Sequence, residues 1–280
     1  WYTGSGIYRD AWLIFANPIH IAPWGVYYTT RRVDDDESAV TVETTLENST
    51  GRARTVTVLQ ELARHDNAVV ARTSSKTKLP AQGGERLVQE MKIAGPRLWS
   101  VEAPYLYTLI TTVKDGDRIA DRSLTRVGIR TLAFDPDKGF SLNAKNMKVK
   151  GVCLHHDAGC LGSAVPREVW AHRLKTLKSL GCNAIRTSHN PQAPVLYDLC
   201  DEMGILVLDE AFDEWEFPKK KWLEGWNVGT PGFQGPASFF REWGERDLRD
   251  MILRDRNHPS VFMWSIGNEV DYPNDPYSHP

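Results

Sequence analysis

The 280-residue sequence lacks two features that would each assign it to a familiar class of protein. No uninterrupted apolar run approaches the roughly 18–20 residues that a membrane-spanning helix needs. No basic stripe is visible either, because 34 Lys and Arg residues are matched by 36 Asp and Glu residues and the net charge is −2. The sequence therefore predicts neither a membrane nor a nucleic-acid partner.

Cysteine is also scarce, and no two cysteines form a CxxC pair. We interpret the four of them as free thiols packed as small apolar side chains: Cys153, Cys160, Cys182 and Cys200. They leave the compartment open between cytoplasm and periplasm. Trp1 opens the sequence without a Met or a signal-like segment. We expect a piece of a longer protein, whose targeting segment and oligomeric state lie outside these residues.

Residues 21–130 have the pattern of a β-sandwich. Short runs that alternate β-branched and polar residues recur between turn residues, with no convincing helix. Seven or so strands are expected. Residues 40–46 and 55–59 flank a turn at 48–51, which predicts that these two strands pair as a hairpin. The opening segment would be the last strand of a preceding domain.

From residue 131 onward the pattern alternates between strands and helices. Helices are predicted at residues 166–180, 193–203 and 238–254. The strands between them are apolar, and we interpret the last, residues 261–267, as buried on both faces. This order predicts a parallel sheet with helical crossovers, either an open sheet or half of a β/α barrel.

Polar side chains follow all four predicted strands, at the end where each strand stops. They are His155, His156 and Asp157, then Ser188, His189 and Asn190, then Asp209, Glu210, Asp213 and Glu214, and finally Asn268 and Glu269. The carboxyl-terminal ends of the strands form the active-site face of a β/α barrel, so the pattern favours a barrel. Clustered carboxylates suit acid–base chemistry, because burial and like charges separate their pKa values. Glycoside hydrolysis needs two such groups, and Glu269 is a candidate for one.

Four long segments resemble the catalytic domain of glycoside hydrolase family 2. They are KGVCLHHD (150–157), GCNAIRTSHNP (181–191), LCDEMGILVLDEAFDEW (199–215) and RDRNHPSVFMWSIGNE (254–269). The opening GSGIYRDAWL (4–13) is similar to the last strand of that family's N-terminal sugar-binding domain. Within the family, the HHD and SHNP segments look most like those of β-galactosidases.

The resemblance implies a multidomain fold in three parts. Residues 1–20 would be the last strand of a jelly-roll sugar-binding domain. Residues 21–130 would form an immunoglobulin-like β-sandwich. Residues 131–280 would form the first half of a (β/α)8 TIM barrel, the catalytic domain.

The resemblance also implies roles for individual residues. Glu269 matches the acid/base carboxylate, and Asn268 matches the residue that contacts the hydroxyl next to the reacting carbon. His155 and His189 match histidines that line the sugar pocket, and Arg186 matches an arginine that orients the nucleophile. The implied reaction is hydrolysis of terminal β-D-galactosides with retention. The family's nucleophilic glutamate comes from a later strand, so we expect this chain alone to be inactive.

The third strand and the loop after it carry further candidates. Asp209 and Glu210 match an acidic pair with a structural role. At least one tryptophan of the loop is expected to stack on a sugar: Trp215, Trp222 or Trp226. A divalent metal near Glu214 is a further expectation, held with Asp213 and Glu216, although an acidic loop is more often solvated. No other cofactor is expected.

Three alternatives stay open. The first is another family 2 activity, β-glucuronidase or β-mannosidase. The second is a metal-dependent barrel hydrolase built on His155, His156, Asp157 and His189, which is disfavoured because adjacent side chains on a strand diverge. The third is a non-catalytic carbohydrate-binding module, which is disfavoured because the Asn268–Glu269 pair is present.

Overall fold

The computed structural model describes residues 6–34, 36–216 and 236–270. Within these residues, two antiparallel sheets precede a small three-stranded sheet and a four-stranded parallel sheet with helices. No described helix is both long and apolar enough to cross a membrane. The predicted change of pattern near residue 131 is therefore a change from all-β to alternating β and α structure.

The two antiparallel sheets pack face to face as a sandwich. Their strands are β1 (Ile19–Val33), β2 (Glu37–Asn48), β3 (Arg54–Ala63), β4 (Val69–Leu79), β5 (Gly83–Ala94), β6 (Tyr107–Asp115) and β7 (Arg118–Val127). One sheet has the order β1-β2-β5 and the other β4-β3-β6-β7. Alternate side chains of each strand point inward, so Val42, Leu46, Val58 and Leu109 are fully buried in one core.

The predicted hairpin of β2 and β3 is wrong. β2 lies between β1 and β5, whereas β3 lies between β4 and β6, so residues 49–53 cross from one sheet to the other. Asn48 holds this crossing, because its buried side-chain amide donates to the carbonyl oxygens of Arg52 (2.9 Å) and Pro80 (2.7 Å). Because β2 and β3 lie in opposite sheets, their apolar sides are buried against each other in the core. A hairpin within one sheet would not bury them in this way.

A short antiparallel sheet links the sandwich to the parallel sheet. It consists of β8 (Leu132–Asp135), β9 (Gly139–Leu142) and β10 (Lys145–Asn146). Phe140 of β9 packs against Phe262, with ring centroids 5.2 Å apart. Both rings share a buried cluster with Ala184 and Leu206, at the starts of two parallel strands. The small sheet thus covers the amino-terminal end of the parallel sheet.

The parallel sheet has the order β11-β12-β13-β14, as predicted. Its elements are β11 (Gly151–Leu154), α1 (Arg167–Ser179), β12 (Ala184–Thr187), α2 (Pro194–Met203), β13 (Leu206–Glu210), α3 (Phe240–Asp255) and β14 (Val261–Ser265), with short 3-10 helices at Gly159–Leu161 and Pro236–Phe239. Gly204 ends α2 in the left-handed conformation (φ 67°) that glycine adopts at low cost. Trp170 and Leu196 pack the helices onto the sheet.

Burial of the last strand on both faces is confirmed only for its first half. Val261 and Phe262 are buried, but Met263 and Trp264 are 36% and 37% exposed and Ile266 is 52% exposed. Among the described residues, β14 pairs with β13 on one side only. An edge strand leaves part of its surface uncovered, which explains the difference.

The opening segment has neither helix nor strand over residues 6–18, and most of its large apolar side chains, such as Trp12 and Phe15, are exposed. The jelly-roll strand and the predicted domain boundaries stay predictions. The cysteines are free thiols, as expected. Their packing as apolar side chains holds for buried Cys200 but is wrong for Cys153 and Cys160, which are exposed.

The sandwich contacts the parallel sheet where the chain enters β14. The backbone N–H of Tyr28 donates to Asn257 Oδ1 (2.9 Å), and Asn257 Nδ2 donates to the carbonyl oxygen of Val26 (2.8 Å). Asn257 thus pairs with β1 as a neighbouring strand would. Gly128 lies so close to Pro259 that a Cβ would approach it to 2.7 Å. These contacts orient β14, which leads directly to Asn268 and Glu269.

Candidate active site

Glu210, the last residue of β13, is the centre of a hydrogen-bonded cluster at the carboxyl-terminal ends of the parallel strands. Its side chain is fully buried. Oε2 accepts from Arg186 Nε (2.8 Å) and Nη2 (2.7 Å) and from Ser265 Oγ (2.7 Å). Oε1 lies 2.6 Å from His189 Nδ1, which places a proton on that ring nitrogen, since a carboxylate only accepts. A buried carboxylate with four donors is well compensated for its lost hydration.

Arg186 connects this carboxylate to Asn268. Its Nη2 donates to Asn268 Oδ1 (2.9 Å), and Asn268 Nδ2 donates to Asp213 Oδ1 (3.1 Å). Both ends of the amide are therefore occupied, which determines its orientation. Burial by itself lowers the pKa of Arg186, but the hydrogen bond and charge of Glu210 outweigh it and raise this pKa above its ordinary value. The guanidinium is a permanent cation at the site.

His155 and His189 meet edge to face, with ring centroids 5.2 Å apart and an interplanar angle of 79°. Burial and the neighbouring His189 ring lower the pKa of His155. At neutral pH its imidazole is therefore uncharged and can both donate and accept a hydrogen bond. His156 is buried, whereas His155 is partly open. The two adjacent side chains diverge, as alternation along the chain predicts.

Glu269 is exposed, and its backbone lies in the left-handed region at φ 51°. Few residues other than glycine adopt this conformation, and it concentrates at functional sites. Gly267 is required by close approach, because a Cβ there would lie 2.7 Å from Trp215 Nε1. That indole nitrogen donates to the carbonyl oxygen of Ile266 (2.8 Å). Trp215 thus supports the turn that presents Asn268 and Glu269.

Stacking of a loop tryptophan on a sugar stays a prediction. The Trp215 ring packs against Phe240, with centroids 6.0 Å apart and an interplanar angle of 21°. One ring therefore already has a protein partner on one side. Trp222 and Trp226 lie outside the described residues.

The loop carboxylates are less solvated than expected. Asp213 and Glu214 are buried, and only Glu216 is exposed, where it pairs with Arg241 (2.8 Å). Asp213 holds the Asn268 amide, and Glu214 Oε1 lies 3.4 Å from the backbone nitrogen of Ala237. In the described part of the chain, no group of three or more His, Cys, Asp or Glu residues could hold a metal ion. The loop after Glu216 lies outside the described residues up to Pro236, so the expected divalent metal near Glu214 stays a prediction.

One residue of the cluster, Ser265, was not predicted. Ser265 stands opposite Glu210 in the register of β13 and β14, so strand alternation from Glu210 would have pointed to it. Asp213 was predicted at the end of the third strand and as a metal ligand, but its contact with Asn268 depends on the path of the loop after β13. No periodicity encodes that path.

Comparisons with known proteins agree with this architecture. The sequence model described as "Glycosyl hydrolases family 2, TIM barrel domain" matches residues 136–277, and the one described as "Glycosyl hydrolases family 2" matches residues 19–130. The chain belongs to glycosyl hydrolase family 2. Its fold class, an immunoglobulin-like sandwich followed by part of a TIM barrel, is confirmed.

Relatives of this family 2 chain are much longer than it is. It is 48% identical to the β-galactosidase BoGH2A of Bacteroides ovatus over 272 residues, 96% of this chain and 30% of the relative. It is 34% identical to a β-glucuronidase of Bacteroides fragilis over 275 residues, 95% of this chain and 37% of that protein. A solved family 2 structure from Bacteroides cellulosilyticus superposes with a TM-score of 0.90 at 36% identity, covering 99% of this chain and 34% of that one. The chain thus spans about a third of these relatives.

The structure brings most of the predicted site residues of this family 2 chain together. Arg186, His189 and Asn268 share one hydrogen-bonded network through Glu210, and His155 contacts it through His189. Glu269 follows directly on the chain. Their roles toward a substrate stay predictions.

Proposed function

We propose that this chain supplies the acid/base half of the active site of a retaining β-glycosidase. The observation that carries the proposal is the network in which buried Glu210 binds Arg186, and Arg186 binds Asn268, the residue next to Glu269. This network fixes Asn268, the residue before Glu269, at the carboxyl-terminal face of the sheet. Such preorganisation is what positions a general acid against a bound substrate.

In the proposed mechanism, Glu269 protonates the glycosidic oxygen as the bond to the sugar breaks. A second carboxylate, which we place outside these 280 residues and about 5–5.5 Å from the Glu269 carboxyl group, attacks the sugar carbon and forms a covalent glycosyl intermediate. Glu269 then takes a proton from the water that releases the sugar. Neutral His155 and the His189 ring face sugar hydroxyls, and Asn268 contacts the hydroxyl beside the reacting carbon.

We propose a terminal β-D-galactoside as the substrate, because the 48% identical relative is a β-galactosidase. A β-glucuronide is the second candidate, because a 34% identical relative is a β-glucuronidase. The two sugars differ in the configuration at carbon 4 and at carbon 6, where the glucuronide has a carboxylate in place of the galactoside's hydroxymethyl group. A glucuronide site needs basic or amide groups for that carboxylate, and Arg186, which already faces the Glu210 carboxylate, does not offer one.

The first experiment measures hydrolysis of aryl β-galactosides and β-glucuronides by the 280-residue chain and by a chimera. The chimera carries residues 136–277 of this chain in place of the matching segment of the Bacteroides ovatus β-galactosidase. We expect no turnover by the chain alone and galactoside hydrolysis by the chimera. In the chimera, Glu269→Gln should lower kcat/KM by roughly 10²–10⁴-fold. The loss should grow as the leaving group becomes poorer, because such groups depend more on protonation.

Glu245→Gln is the matched control, since Glu245 is an exposed carboxylate of α3 with no proposed role at the site. It should leave kcat/KM unchanged. A folded chimera in which Glu269→Gln keeps full activity on poor leaving groups would refute the acid/base role. Turnover by the chain alone would refute the placement of the second carboxylate elsewhere. Faster hydrolysis of glucuronides would favour the second candidate.

A further inference from the structure

A second buried carboxyl lies directly behind the candidate site. Asp209 precedes Glu210 on β13, and strand alternation points it to the helix side of the sheet. It is fully buried. Its Oδ1 accepts from Tyr197 Oη (2.6 Å) and Thr187 Oγ1 (3.1 Å). No amide, hydroxyl or guanidinium donor of the described residues reaches its Oδ2.

The carboxyl group of Asp255, at the end of α3, lies within hydrogen-bonding reach of the Asp209 side chain. Asp255 is also fully buried, and Arg254 occupies it with both Nε (2.7 Å) and Nη2 (2.6 Å). Two buried carboxyl groups thus lie side by side, and the guanidinium of Arg254 is hydrogen-bonded to Asp255. Oxygens of two ionised carboxylates cannot hydrogen-bond to each other, and like charges buried together are strongly unfavourable.

We infer that Asp209 carries a proton in the folded protein, donates it from Oδ2 to the Asp255 carboxylate, and thereby acts as a positioning residue for Glu210. Asp255 keeps its charge because Arg254 neutralises it. Asp209 is the partner without a cation, so the proton resides there. Every polar atom of the group is then satisfied, as burial requires.

The connection to the site runs through Thr187 of β12. The backbone N–H of Glu210 donates to Thr187 Oγ1 (2.8 Å), and the same hydroxyl donates to Asp209 Oδ1. A continuous path therefore leads from Asp255 through Asp209 and Thr187 to the residue that binds Arg186 and His189. The catalytic relevance of this path rests on the proposed function, but the buried proton does not.

Electrostatics agree with this geometry. Burial first, and the charge of Asp255 second, raise the pKa of Asp209 from 3.8 to about 7. The groups that face it are Tyr197 from α2, Thr187 from β12, and Arg254 with Asp255 from α3. In the folded state Asp209 binds its proton more tightly than in the unfolded state. The stabilisation it provides is therefore complete below pH about 4 and is lost as pH rises toward 7.

The test compares Asp209→Asn with wild type in urea unfolding from pH 4 to pH 8. An asparagine reproduces a protonated aspartate, because its Nδ2 donates to Asp255 and its Oδ1 accepts from Tyr197 and Thr187. We expect near-equal stability at pH 4. As the pH rises from 4 to 7 the variant should gain on wild type, by up to tenfold in the ratio of folded to unfolded protein per pH unit, and above pH 7 the difference should level off. Asp209→Ala should be destabilised at every pH.

Asp201→Asn is the matched control. Asp201 is equally buried on the same side of the sheet, but its oxygens accept from His258 Nδ1 (2.6 Å) and the N–H of Ser260 (3.0 Å). An amide there loses the partner of a charged imidazole, so this variant should be less stable than wild type at pH 5. Equal destabilisation of Asp209→Asn at all pH values would overturn the inference.

Infrared spectroscopy gives an independent readout. At pH 6 ordinary carboxyl groups are ionised, so the wild-type chain should show the C=O stretch of a protonated carboxyl that Asp209→Asn lacks. Its absence from wild type would overturn the buried proton. In the chimera, Asp209→Asn should retain kcat and extend activity to higher pH. If the upper pH limit of activity were the same in the variant, the positioning role would be overturned, but not the buried proton. If the chimera were inactive, the stability and infrared measurements on the 280-residue chain would still test the buried proton.

Discussion

The two halves of the molecule bury polar groups of different kinds. Over residues 19–127 of the described chain, all buried polar side chains are neutral: Ser38, Thr41, Thr44, Asn48, Gln60, Gln89, Thr111 and Thr112. Over residues 150–270, as far as they are described, eight of the buried polar side chains are ionisable: His156, His189, Asp201, Asp209, Glu210, Asp213, Glu214 and Asp255. Among the described residues, the sandwich thus buries neutral polar side chains, whereas the half barrel (residues 150–270) buries many ionisable ones.

The neutral network of the sandwich is built around Gln60. Its Nε2 donates to Thr44 Oγ1 (2.9 Å) and Gln89 Oε1 (3.2 Å), and its Oε1 accepts from Thr111 (2.7 Å). These bonds tie the two sheets together without any charge to desolvate. They help to fix how the two sheets pack against each other. The free-energy cost of removing these neutral groups from water is offset by the hydrogen bonds they form.

The half barrel cannot be explained in the same way. Replacing a buried ion pair by apolar residues is often neutral or stabilising, so charge is a poor means of holding a fold together. Ionisable groups that are buried together at the ends of strands are typical of functional sites. The comparison therefore favours the parallel sheet as the part that carries the proposed chemistry and the sandwich as its support.

The largest expected effect comes from placing an ionisable group in the neutral network. Gln60→Glu keeps the shape of the side chain, but burial can raise the pKa of such a carboxyl by about 3. Each pKa unit corresponds to about 1.4 kcal/mol, so the variant should lose about 4 kcal/mol of unfolding free energy at pH 8. The loss should shrink as the pH falls from about 7 and should be smallest near pH 4, where the folded and the unfolded chain are both protonated.

Urea unfolding between pH 4 and pH 8 measures this change, with Gln60→Leu as the control. The leucine variant breaks the same hydrogen bonds without a titrating group, so its loss should not depend on pH. If Gln60→Glu were equally stable at pH 4 and pH 8, the sandwich would tolerate charge, and the contrast between the two halves would carry no functional meaning.

The second effect comes from removing the central charge of the half barrel. Glu210→Gln leaves the Arg186 guanidinium without its carboxylate. Breaking a buried ion pair costs about 3 kcal/mol, and the partial exposure of Arg186 places this one at the lower end of the usual range. Thermal unfolding at pH 7 measures the loss. Glu61→Gln, which breaks the exposed pair with Arg72 in the sandwich, should cost less than about 1 kcal/mol. Equal losses would remove the distinction.

The smallest effect concerns His258. Burial lowers its pKa, but the charge and hydrogen bond of Asp201 outweigh burial and raise the pKa above 6.5. Its contribution is therefore full below pH 6.5 and is lost as pH rises through the folded-state pKa. His258→Gln should cost about 1.5 kcal/mol at pH 5.5 and less at pH 8.5. His20→Gln, at the partly exposed pair with Glu47 in the sandwich, is the control. A pH-independent loss at His258 would contradict this account.

Element positions could be predicted well from the sequence where one local signal dominates. The three helices and four strands of the half barrel follow from periodicity, with Gly204 ending α2 as expected. The pairing partners of β2 and β3 could not be predicted, because a turn signal at residues 48–51 is compatible with a hairpin and with a crossing between sheets. The need to bury a shared core between the two sheets decides between these two arrangements.

The sequence by itself determined the order of elements and the polar residues at the strand ends, because periodicity and strand-end position are local properties. The tertiary structure alone decided which of those residues meet. Ser265 and Asp213 joined the site, and Asp209 turned away from it toward Asp255. The contacts of Ser265 and Asp213 join residues that are 55 positions apart on the chain. Partner choice at such separations depends on sheet register, loop path and burial, which no short stretch of sequence records.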